Sequence, residues 1–135
     1  MISPARAEAL TTLLRERFGD VLQDLVYDRS ELTVCLKPGD LLAVASALRD
    51  EPAFSFKLLI DLSGVDYQTY GRADWTTHHA TAGGFSRGVS KGVEVTENGA
   101  HPARFAVVYH LLSVQQNQRL RLKVFLPDDP PRLPT

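Results

Sequence analysis

The stretch that most constrains the fold is residues 104–126, RFAVVYHLLSVQQNQRLRLKVFL. Residues 105–112 are almost unbroken apolar, apart from His110, and rich in valine and aromatic side chains. That composition predicts a strand covered on both faces. Residues 119–126 alternate instead: Leu120, Leu122, Val124 and Leu126 face one way, and Arg119, Arg121, Lys123 and Phe125 the other. A period of two with one oily side marks a half-buried strand. The polar link at 113–118 is short enough for a hairpin. The rest of the chain must supply the layer that covers this sheet.

Two helices are predicted for that layer. Ser3 can cap the first and Pro4 sits where its missing N–H costs nothing. Ala7, Leu10, Leu13, Leu14 and Phe18 form one apolar stripe, Arg15 and Arg17 suit the negative end of the macrodipole, and Gly19 stops the helix. Residues 20–27 and 31–36 read as two short strands around Asp28-Arg29-Ser30, with Leu32, Val34 and Leu36 on one face and Cys35 on the other. Pro38-Gly39-Asp40 opens the second helix, Leu41, Leu42, Val44, Ala45 and Leu48 supply its buried side, and Pro52 prevents continuation.

A third strand is expected over residues 54–66, with Phe56, Leu58, Ile60 and Leu62 on one face, Lys57, Leu59 and Asp61 on the other, and Gly64 marking a bulge or the end of pairing. Between Tyr67 and Pro102 glycine, serine and threonine dilute the signal. A short strand at 92–97 is expected there, with Asn98-Gly99 turning back towards Arg104. The order of elements predicts an α+β two-layer domain over residues 1–126: two helices packed on a mostly antiparallel sheet of about five strands. Residues 127–135 read as a Pro-rich exit towards a further C-terminal segment.

Few residues of the chain offer chemistry. A hydrophobic fraction of 44% and a charged fraction of 23% are ordinary for a soluble globular protein, and a net charge of −1 gives no general attraction for nucleic acid or anionic membrane. No apolar run approaches the ~20 residues that cross a bilayer. Cys35 is the only cysteine, so neither an internal disulfide nor a cysteine-ligated cluster can form within the chain. His78 and His79 are adjacent, His101 precedes a proline and His110 lies in a strand, so no metal-ligand spacing emerges. The glycines form no phosphate loop, and D-L-S-G-V-D around Ser63 lacks the first glycine of a nucleophile elbow. Asp61 and Asp66 have opposite strand parity, which does not converge two carboxylates on one substrate. The basic stripe Arg119, Arg121 and Lys123 beside Phe125 would suit an RNA-binding α+β module, the alternative reading, although the RNP1 aromatic pattern is missing. No catalytic, cofactor-binding or metal-binding residue is expected.

FKLLIDLSGVDY at 56–67, followed by RFAVVYHLLS at 104–113, a polar turn, RLRLKV at 119–124 and a Pro-rich exit, resembles the 30 kDa subunit of proton-pumping NADH:quinone oxidoreductase, respiratory complex I. The positions that carry the resemblance include Leu59, Asp61, Val65, Asp66 and Tyr67, then Arg104, Phe105 and Tyr109, then Arg119, Arg121 and Lys123. The resemblance implies the N-terminal domain of a cofactor-free scaffold subunit in the hydrophilic arm, packed against the quinone-site (49 kDa-type) subunit. NADH, FMN, the iron–sulfur clusters and quinone would then be bound by other subunits. It further implies a peripheral position on the cytoplasmic face of a bacterial inner membrane, with no membrane span and no nucleic-acid partner. Asp66, Tyr67, Arg119, Arg121 and Lys123 are the expected interface residues.

Overall fold

Ser3 starts the first helix as its place before proline predicts: its side-chain oxygen accepts the Arg6 N–H at 3.4 Å. The computed structural model describes residues 2–68, 70, 72–77, 82–83, 88–94 and 103–134. They fall into two compact units, Met1–Val65 with Pro102–Thr135, and Asp66–His101.

In the first unit, α1 spans Pro4–Phe18 and buries Ala7, Leu10 and Leu14. Leu13, expected on the same stripe, is 41% exposed, while the Phe18 ring stacks against Phe54 at 5.8 Å. Gly19 ends the helix at φ 55°, in the left-handed region where a side chain is strained. The chain then makes a 3₁₀ turn over Gly19–Val21, so β1 is confined to Asp24–Asp28 and starts later than the alternation suggested. A two-residue turn leads into β2, Glu31–Leu36, in which Leu32, Val34 and Leu36 are buried and Glu31, Thr33 and Cys35 are not. A second 3₁₀ turn, Pro38–Asp40, delivers α2, Leu41–Asp50. That helix buries Leu41, Val44 and Leu48, but Leu42 faces outward.

The third strand also begins later than expected. Phe54 and Phe56 both enter the core, and Ser55 between them takes φ 52°, outside strand geometry. Their backbone N–H groups are satisfied by Glu51 and Leu48 carbonyls rather than by a ladder. The turn at residues 114–117 supports this segment: the Ser55 hydroxyl donates to Gln115 Oε1 at 2.6 Å, and the Gln116 side-chain amide donates to the Pro52 carbonyl at 3.2 Å. The strand itself, β3, spans Leu58–Asp66 and includes Gly64.

The described strands of the second unit are β4, Arg72–Thr77, and β5, Val89–Glu94, paired antiparallel. The strand expected at 92–97 therefore starts earlier, β4 was not foreseen, and Asn98-Gly99 lies outside the described residues.

β6, Phe105–Ser113, and β7, Gln118–Leu126, form the hairpin read from the sequence, with Phe105 opposite Leu126 and Ser113 opposite Gln118. The five-stranded sheet of the first unit runs β1-β2-β7-β6-β3. β2 lies parallel to β7 and antiparallel to β1, so the sheet is mixed and mostly antiparallel. Seven strands occur among the described residues, five in this sheet and two in the second unit. The core joins Leu10 and Leu14 of α1, Val44 and Leu48 of α2, Phe54 and Phe56, and the inward rows of β2 and β7. This is the α+β architecture anticipated from the order of elements.

Candidate interaction surface

Strand register fixes which side chains share the face turned away from that core. Because Val107 opposes Val124 and Val34 lies beside Leu122, the outer rows are Glu31, Thr33 and Cys35 of β2, Arg119, Arg121, Lys123 and Phe125 of β7, and Ala106, Val108, His110 and Leu112 of β6. The basic stripe is thus real, and Arg119, Arg121 and Lys123 stand together on one surface.

Its charges are partly engaged within the protein. The Arg121 guanidinium pairs with the Glu31 carboxylate and reaches Thr33 Oγ1 at 3.5 Å. Parallel pairing sets Arg121 beside Thr33, two residues from Glu31 on the same row, which places the two charges together. The Lys123 ammonium lies 5.7 Å from the Phe125 ring centre. Arg119 is exposed and makes no ion pair among the described residues. A recess of about 220 Å³ lies at this end of the sheet. Ile2, Leu32, Ile60, Leu111 and Leu120 supply its apolar lining, and Glu31, Asp61, His110, Arg119 and Arg121 its polar one.

Asp66 and Tyr67, the other expected interface residues, belong to the second unit. Asp66 Oδ1 accepts the Gln68 N–H at 2.9 Å, forming the local turn that a short carboxylate favours. The Tyr67 ring meets Tyr70 edge to face at 5.4 Å, and the Tyr70 N–H donates to the Tyr67 carbonyl. Tyr70, 57% exposed, is a surface aromatic that the sequence pattern did not single out. Also missed were Glu31 as the partner of Arg121, and the exposure of β3. A glutamate at the start of a strand has no pattern of its own; only the parallel register with β7 brings it to the arginine.

Cys35 lies half-buried between Asp24 of β1 and Lys123 of β7. Burial pushes its thiol above the ordinary range, Asp24 adds to the rise, and Lys123 opposes it. The raised value means the folded state holds the thiol proton more tightly than the unfolded chain. Its contribution to stability is therefore complete below the free-thiol pKa and is lost as pH rises through the folded value. Iodoacetamide alkylation of Cys35 is expected to reach half-maximal rate at a higher pH than for a free thiol. Asp24→Asn should move that midpoint down; an unchanged midpoint would contradict the assigned electrostatics.

The remaining polar groups serve local structure. The Ser63 hydroxyl donates to Asp61 Oδ2 at 3.1 Å, and Asp61 Oδ1 accepts the Leu62 N–H at 2.9 Å. At the helix ends, Glu51 accepts Arg17 Nε at 2.8 Å and Arg17 Nη2 at 2.6 Å, which ties the end of α1 to the residue that caps α2. Glu51 raises the pKa of that guanidinium through its hydrogen bond and its charge. Among the described residues no group of three or more His, Cys, Asp or Glu side chains could hold a metal ion, and no helix is long and apolar enough to cross a membrane. His78, His79 and His101 lie outside the described residues. Paired charges, apolar patches and a small recess suit contact with another protein surface.

Residues 34–135 match the family described as "Respiratory-chain NADH dehydrogenase, 30 Kd subunit". The chain is 40% identical over 131 residues to an NADH-quinone oxidoreductase subunit of Coxiella burnetii, covering 97% of this chain and 58% of that protein. It is 42% identical over 137 residues to the subunit of the same name from Halorhodospira halophila, covering 93% and 55% respectively. Against its namesake in Legionella pneumophila the identity is 45% over 119 residues, covering 88% and 52%. The chain thus spans a little over half the length of these relatives. With three quarters of its length matched to the family and this similarity running through most of both units, the chain belongs to the 30 kDa subunit family of respiratory-chain NADH dehydrogenase.

Proposed function

We propose that this chain is the N-terminal domain of a cofactor-free scaffold subunit in the hydrophilic arm of proton-pumping NADH:quinone oxidoreductase. It supports electron transfer from NADH to quinone by packing against the quinone-site subunit, and it sits peripherally on the cytoplasmic face of the bacterial inner membrane. The observation that carries this reading is family membership over residues 34–135. The surface agrees with it in kind: Arg121 is engaged by Glu31, and apolar side chains stand exposed along β3. Exposed apolar surface of this sort marks contact with protein more than chemistry on a small substrate. NADH, FMN, the iron–sulfur clusters and quinone are assigned to other subunits. The RNA-binding alternative keeps only the shared face of the stripe, and it is disfavoured because one of the stripe's arginines is neutralised within the chain and the net charge is −1.

The test is affinity purification of the tagged full-length protein from bacterial membranes. It should recover the quinone-site subunit together with NADH:quinone reductase activity, while the tagged protein purified alone carries no stoichiometric flavin or iron. Recovery without the quinone-site subunit, from cells whose respiratory arm is intact, would sink the reading.

A further inference from the structure

The sheet order leaves β3 at an edge, paired with β6 on one side and with no strand of the first unit on the other. Edge strands offer unpaired N–H and C=O groups, and natural proteins blunt them with lysine, proline, bulges or short length. β1, at the opposite edge, is short and carries an aspartate at each end. β3 has few such defences. It runs nine residues, LLIDLSGVD, without proline or lysine. Leu58, Leu59, Ile60 and Leu62 are between 48% and 55% exposed. Leu58, Ile60 and Leu62 share one face and Leu59 lies on the other, so neither face of the edge is polar throughout.

We propose that β3 accepts a strand from another subunit of the assembly. That strand extends the sheet, is apolar at alternate positions, and carries a basic side chain opposite Asp61. The inference rests on the scaffold reading above and names the surface that serves it. Charge selects the occupant: the only ionisable side chains in β3 are Asp61 and Asp66, both acidic. Asp61 makes no ion pair among the described residues and is held at the strand by the Leu62 N–H and the Ser63 hydroxyl. A basic residue on the added strand meets this carboxylate directly, as in favourable cross-strand pairs. Ile60 and Asp61 also wall the recess of about 220 Å³, which gives room for a side chain of the added strand. Main-chain hydrogen bonds supply affinity in such additions and alternate side chains supply specificity.

A second copy of the chain is the competing occupant. Two-fold antiparallel pairing centred on Leu59 does set Lys57 against Asp61. It stops there, because Phe56 is buried and precedes the strand, and it leaves Leu62 and the recess uncovered. That register joins only residues 57–61 of each copy, short of the nine residues that β3 offers to an added strand.

Hydrogen exchange of the complete complex, compared with the free full-length protein, tests the proposal. The β3 amides that point away from β6 should exchange at least ~10-fold more slowly in the complex. Asp61→Lys should lower recovery of the protein in the complex about 10-fold, a cost of ~1.4 kcal/mol, with the melting temperature of the free protein unchanged. Asp61→Glu should restore recovery. Unchanged exchange at β3 in a complex that contains the protein overturns this inference alone, as does normal recovery of the Asp61→Lys variant. Protection that grows with concentration in the free protein overturns it in favour of self-pairing. A wild-type protein that never enters the complex overturns the scaffold reading, and this inference with it.

Discussion

Replacing Leu122 with alanine is expected to destabilise the chain by about 3 kcal/mol, read as a lower denaturant midpoint at unchanged slope. Leu122 is 1% exposed on β7, with Val34 of β2 on one flank and Tyr109 of β6 on the other. Truncation there removes contacts from the centre of the sheet and leaves a void that well-packed neighbours on several sides cannot collapse into. Leu59 supplies the internal comparison. It has the same side chain, but on the edge strand it is 55% exposed, and Leu59→Ala should fall within about 0.5 kcal/mol of wild type. Equal losses at the two positions would show that β3 is packed in solution, contradicting both the assigned core and the open edge.

That contrast also locates what the sequence could and could not disclose. β7 alternates cleanly, and each apolar residue from Leu120 to Leu126 on its even row is buried. Period alone sufficed because one side of the strand faces the helices. β3 carries the same kind of residues and has the opposite fate. Leu58, Ile60 and Leu62 read as one apolar strand face with Leu59 on the other, yet all four are exposed on a strand at the sheet edge. An apolar run reports that something covers it and not whether the cover is in the same chain. The break at Ser55 was equally invisible: Phe54 and Phe56 fell within the expected strand, whereas both are core residues bonded back to Glu51 and Leu48, and the residue between them takes a positive φ.

Site residues divide along similar lines. Arg119, Arg121 and Lys123 were legible because parity puts them on one face of one strand, a local property. Glu31 was not, because its meeting with Arg121 depends on β2 and β7 pairing in parallel across most of the chain's length. The recess likewise draws walls from β2, β3, β6, β7, Ser30 of the β1–β2 turn and Ile2 ahead of α1, a combination no window of sequence contains. Family resemblance gave the biological setting where residue chemistry gave none. A scaffold surface has no constellation to recognise, only pairing, packing and exposed edges.

A higher melting temperature is expected from two substitutions in the β1–β2 turn. Arg29 and Ser30 sit at φ 49° and 62°, both in the left-handed region, joining Asp28 and Glu31 across a two-residue loop. Two successive positive φ values define the hairpin turn that asparagine and glycine favour, because its twist matches that of the flanking strands. Arginine and serine meet the left-handed penalty that Cβ imposes. Arg29→Asn combined with Ser30→Gly should therefore raise stability by about 1–2 kcal/mol, seen as a higher melting temperature. Little is lost in exchange. The Arg29–Asp28 contact is 3.7 Å long between side chains 92% and 76% exposed, where solvent screens it, and the bond from the Ile2 N–H to the Ser30 carbonyl uses only backbone. Asn117 in the β6–β7 turn provides the matched control. It stands at φ 49° already as asparagine, and Asn117→Gly should move stability by only a few tenths of a kcal/mol. A double substitution in the first turn that gains no more than this control would mean that Arg29 and Ser30 are not strained there.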